Sequence, residues 1–231
     1  MNDLQKREEK SVLRWGGLAG ILGGIIFILV FVIVIVFVGP DPAEPEGEVM
    51  RFPDIRAART VEDGLYLVVL ILWVAHFLAL YRALRGRSLA PALFGSVLGI
   101  VGLGVLAAGA LPHVATAPIS DLYHAPGATP EDQATLVLMW QATEGIFDAL
   151  FGVGLLLVPI GFVALGVAML GAPTFGKGFG AVSVVLGVVG VLAASVLLVD
   201  PLSPSAFVGV LALIVFHLVV GWKVYNLSRA P

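Results

Sequence analysis

The sequence predicts an all-α membrane protein, a bundle of six transmembrane helices with both termini in the cytoplasm. Three observations predict it. Six apolar runs lie at about 15–39, 61–84, 89–111, 144–170, 178–199 and 205–223. Each matches the roughly 20 residues that a helix needs to cross about 30 Å of hydrocarbon. Hydrophobic residues form 59% of the chain and charged residues 13%, about half the charged share of a soluble domain. Finally, ten of the 13 Lys and Arg fall on one side of the runs, which makes that side cytoplasmic.

The chain divides into a cytoplasmic segment 1–14, a single transmembrane domain 15–227 and a cytoplasmic tail 228–231. Lys6, Arg7, Lys10 and Arg14 precede the first span. The run from Gly16 to Val38 is too long for a signal-peptide core and has no A-x-A-like cleavage site, so it is a retained helix. Gly16, Gly20 and Gly24 stand four apart on one face, a spacing that lets helix backbones approach closely. Its second half, FILVFVIVIVFV, has no small residue and is expected to face lipid.

The outer loop 40–60 reads GPDPAEPEGEVMRFPDIRAAR and predicts solvated coil with a short interfacial turn after Pro53. Asp41, Glu44, Glu46 and Glu48 lack the spacing of a calcium loop. The span 61–84 ends in Arg82, Arg85 and Arg87. Span 89–111 carries Gly95 and Gly99, again four apart.

The second outer loop, 112–143, contains a helix start: Thr129 as cap, Pro130 at the first helical position and acids in the first turn. From Pro130 to Leu170 is about 60 Å if unbroken. The helix must therefore project outward or bend near Gly145, leaving 130–143 at the interface. Trp140 suits the bend, because indoles favour headgroups. FLALYRALRG at 77–86 is similar to FVALGVAMLG at 162–171, and VLGIVG at 97–102 to VLGVVG at 185–190. Glu62-Asp63-Gly64 likewise aligns with Glu144-Gly145. Helices two and three are thus a candidate parallel duplicate of helices four and five.

Polar residues in the spans are the candidate sites, because lipid makes them costly. Gln141, Glu144 and Asp148 share one helix face. The carboxylate pair Glu144 and Asp148 could serve a proton- or cation-coupled transporter, or sit at the interface as packing groups, and the interfacial reading leads. His76 and His217 each lie six residues before an inner cation, about 9 Å deep. Matched depth would suit axial ligation of a b-type haem. Two packing histidines with hydrogen-bond partners would show the same depth, and this is the reading we expect. His113, His124 and Asp121 form a candidate zinc or copper cluster without a recognised metal spacing.

Other chemistry is missing. There is no cysteine, no phosphate-binding glycine loop, no H-E-x-x-H and no basic stripe for nucleic acid. The G-x-S-G element of intramembrane serine proteases is absent too. No enzyme is expected.

WGGLAGILGG in helix one, LRGRSLAPALFG and DLYHAPGATPEDQATLVLMWQATEGIFDAL together carry a resemblance over nearly the whole chain. They resemble a family of six-helix prokaryotic membrane proteins catalogued only as a domain of unknown function. The resemblance implies a bacterial or archaeal cytoplasmic-membrane protein and brings no activity. Lys177 alone in its inner loop departs from the arginine-containing pattern. The expectation is a lipid-embedded accessory or scaffold subunit, meeting other subunits through its glycine faces, or a small-ligand sensing module. A haem electron carrier and a coupled transporter are the rivals.

Overall fold

The computed structural model describes residues 3–42, 44–201 and 203–229; residues 1–2 and 230–231 of the predicted terminal segments lie outside them. Six helices follow in order: α1 (Asp3–Ile33), extended by a π-helical turn (Val34–Val38), α2 (Pro45–Leu84), α3 (Leu89–Tyr123), α4 (Pro130–Leu170), α5 (Lys177–Val199) and α6 (Ser205–Arg229). No strand occurs among the described residues. All six helices are long and apolar enough to cross a membrane, so the chain is a multi-pass membrane protein. The π turn stops at Gly39, whose φ of 71° suits glycine and whose N–H reaches Val34 O at 2.8 Å.

Helices adjacent in sequence are adjacent in space, and α6 closes the ring against α1. Because α2, α4 and α6 also touch one another, they form an inner triangle with α1, α3 and α5 outside. Each of the similar hairpins, α2–α3 and α4–α5, therefore supplies one inner and one outer helix. Trp73, Phe77, Phe162 and Phe216 fill the centre without exposure, and the last two stack with centroids 3.6 Å apart.

Small residues set the helix spacing, as packing in lipid requires. A Cβ on Gly161 would lie 2.7 Å from Gly95 O, so α3 and α4 meet backbone to backbone. Gly99 faces the Phe77 ring. Gly16 meets Ala79 of α2, Gly20 leaves room for His76, and Gly24 meets Leu218 of α6. The glycine faces are thus spent on contacts within the chain. The second half of the α1 run is divided: Ile35, Val36 and Phe37 are exposed, whereas Phe27 and Val30 are buried on the bundle.

Three helices overshoot the bilayer. α2, α3 and α4 have 40, 35 and 41 residues, about 52–62 Å of helix. Their ends at 45–60, 112–123 and 130–143 stand beyond the apolar spans 61–84, 89–111 and 144–170 as a three-helix cap. This corrects two expectations and decides between two alternatives. Residues 45–60 are helix rather than coil, 112–123 continue α3 through Pro112 and Pro118, and α4 runs on as one helix through Gly145, the projecting alternative.

Tertiary burial explains why local composition misled. Val49, Phe52, Ile119, Tyr123, Leu136 and Trp140 form one apolar cluster that rewards helix in all three segments. Pro53 has no N–H for the Val49 carbonyl, and Ser120 Oγ donates to that carbonyl instead at 3.3 Å. Trp140 is buried against Phe52 and its Nε1 donates to Glu48 at 2.9 Å, so it is a cap residue and not a headgroup anchor. The expected start of α4 is present, with Thr129 and Asp132 capping each other's backbone N–H and Pro130 as the first residue.

Candidate functional site

Where the cap meets the apolar bundle, α2, α3 and α4 bring charged side chains together. His113 of α3 lies between two carboxylates. Its Nδ1 is 3.4 Å from Asp63 Oδ1 of α2, and its Nε2 is 3.6 Å from Glu144 Oε2 of α4. Phe147, one turn beyond Glu144, stacks on the imidazole at 4.0 Å and 17° and fixes its plane. Burial disfavours the charged ring, but the hydrogen bonds and charges of Asp63 and Glu144 outweigh it. They raise the His113 pKa from its ordinary 6.5 to about 9. His113 is therefore an imidazolium at neutral pH, clamped at both nitrogens.

A narrow cleft opens from this triad into the cap. Arg59 crosses it, pairing with Glu62 at 3.0 Å and Asp41 at 3.4 Å, and Arg51 pairs with Asp41 at 2.9 Å. Glu48 faces the same space. Burial pushes its carboxyl up, against the N–H of Trp140. Four acidic side chains, Asp41, Glu48, Asp63 and Glu144, line the cleft beside Arg51, Arg59 and His113.

Only part of this cluster coincides with the residues singled out in the sequence. Glu144 lines the cleft, whereas Gln141 and Asp148 of the same helix are exposed and do not line it, although Asp148 lies close enough to interact with the charges of Glu144 and His113. The candidate metal cluster is not assembled. Asp121 holds Arg56 at 2.7 Å. His124 Nδ1 bonds to Ser120 O at 2.8 Å and stands about 16 Å along α3 from His113. No group of three or more metal-binding side chains occurs among the described residues. The acids of 41–48 are likewise engaged by protein donors: Glu46 accepts from Tyr123 and Glu48 from Trp140.

His76 and His217 do come together, with centroids 5.2 Å apart and rings at 64°. Both are fully buried. His76 Nδ1 donates to Gly16 O at 2.9 Å, since a carbonyl can only accept. His217 departs from the expected hydrogen bonding. It stacks on Trp73 at 4.1 Å and 7°, and neither of its nitrogens finds a partner among the described residues. His76 Nε2 and Trp73 Nε1 are unpartnered in the same way. Trp73 lies against His217, and Phe77, Phe162 and Phe216 pack edge-on around it.

Asp63, Arg59 and Glu62 are not among the candidate site residues that the sequence pattern marks. The signal was present in the hairpin similarity, which aligns Glu62-Asp63-Gly64 with Glu144-Gly145. It marked both acidic positions as equivalent span starts, and the structure joins them through His113. No family model, curated protein or solved structure matches the chain.

Proposed function

We propose that the chain is a non-enzymatic sensing module of a prokaryotic cytoplasmic membrane, with its termini inside, and that its cap binds a small organic cation from outside. The observation that carries this reading is the His113 clamp within a cleft lined by the carboxyl side chains of Asp41, Glu48, Asp63 and Glu144. The cation excess on the terminal side supports the orientation, as does the resemblance to a six-helix prokaryotic family. A cation entering the cleft would meet carboxylates from the loop after α1, from α2 and from α4. Binding would draw these elements together, which is what a sensor needs from its ligand. An imidazolium is a poor general base at neutral pH, so His113 suits charge balance better than catalysis. The closed aromatic centre between the helices favours sensing over transport.

The test uses protein in lipid nanodiscs. Methylammonium chloride should raise the unfolding temperature of the wild type above that in sodium chloride of equal ionic strength. Glu144→Gln should remove the difference. No difference in the wild type overturns the reading, and methylammonium uptake into proteoliposomes would replace sensing by transport.

A further inference from the structure

Beneath the cleft lies a second, larger and partly open cavity that shares Asp63 and His113 with it. Its walls are of opposite character. Phe27 and Phe31 of α1, Phe147 and Phe151 of α4, Ala110 of α3 and Val210 of α6 make it apolar. Glu62, Asp63 and Tyr66 gather at its polar end. The Tyr66 hydroxyl is buried and has no partner among the described residues, although it borders this space. A buried hydroxyl left unpaired is costly and calls for an occupant that bonds to it. The π-helical turn of α1 contributes Val34 to the same wall, and π turns recur at functional sites.

Resting on the cation reading above, we infer that the ligand is a single-chain primary amine, an amphiphile whose ammonium lies by Asp63 and Tyr66 and whose alkyl chain fills the apolar cavity. The charges choose the head: Glu62, Asp63 and Glu144 exceed His113 and Arg59 around it, so an ammonium is attracted and a fatty carboxylate repelled. The ammonium donates to the Tyr66 oxygen and to Asp63. The phenyl-lined volume chooses the tail, since a small cation alone would leave it empty.

The experiment titrates nanodisc-embedded protein with methyl-, butyl-, hexyl- and octylammonium, with octanoate as the anionic control. Binding to the wild type should tighten by roughly fourfold for each methylene that enters the cavity. In Ala110→Leu and Val210→Phe, each checked for a cooperative unfolding transition, this gain should shrink, which separates cavity binding from partition into lipid. Equal chain-length dependence in wild type and both variants overturns the inference, as does octanoate binding as tightly as octylammonium. Methylammonium binding in the wild type would then still support the cation reading, and its loss alone would sink that reading. Tyr66→Phe should weaken every amine about tenfold, and no change would overturn the placement of the head. Independently of any variant, a ten-carbon amine with a terminal diazirine should label cavity residues of the wild type, such as Phe147 or Phe151. Labelling confined to outward-facing Ile35 and Phe37 overturns the inference.

Discussion

Replacing His113 by glutamine tests the heart of the site through pH. In the folded protein the imidazole keeps its proton up to about pH 9, against an ordinary value of 6.5. The shift of about 2.5 units corresponds to about 3 kcal/mol of stability. His113 is only 15% exposed in its side chain, so solvent screening removes little of this. Because the folded pKa is raised, the contribution is complete below about pH 6.5 and is lost as the pH climbs through 9. For a chain of this length that amounts to about 6–12 °C in unfolding temperature. Scanning calorimetry or intrinsic fluorescence at one heating rate, in nanodiscs at pH 6, 7, 8, 9 and 10, reads it out. The wild type should lose stability relative to His113→Gln across pH 7–9.5, and Asp63→Asn should move the loss to lower pH. Parallel curves for wild type and His113→Gln would refute the clamp between Asp63 and Glu144.

Four further outcomes follow from the packing. Gly161→Leu should destabilise the bundle by about 1–3 kcal/mol or more, because Gly95 O lies in the way, whereas Gly145→Leu, with open space around it, should cost little; equal effects would contradict the backbone contact of α3 and α4. Ser120→Ala strips the Val49 carbonyl of its donor and should cost about 1 kcal/mol, seen as faster hydrogen exchange in 45–60 with the spans unchanged. Purified wild type should be colourless, and His76→Gln should remain folded; a Soret band lost in both His76→Gln and His217→Gln would restore the haem. Reporters fused at the C-terminus should be cytoplasmic and those inserted at 125–128 exported, and the reverse would invert the proposed orientation.

The split between what was legible and what was not is clear at individual residues. The start of α4 could be read because a capping box and an N1 proline act over four residues. The packing role of Gly95 and Gly99 could be read because it depends on a local repeat of four. The matched depth of His76 and His217 could be read from their spacing to Arg82 and Lys223, yet the missing partners of His217 could not be foreseen. They depend on how Trp73 is rotated against it. The cap was misread because Pro53, Pro112 and Pro118 argue locally for breaks, while the residues that outweigh them, such as Val49 and Ile119, are distant in the chain.

By itself, then, the sequence determined the class, the six spans and their alternation, since each follows from the length of an apolar run against a fixed hydrocarbon thickness. Only the tertiary structure decided the cap and the site. Asp63 and His113 are 50 residues apart, and whether they meet depends on the azimuth at which α2, α3 and α4 present them. That azimuth is set by glycine contacts between backbones and by burial of aromatic side chains across helices, energies that no single segment contains.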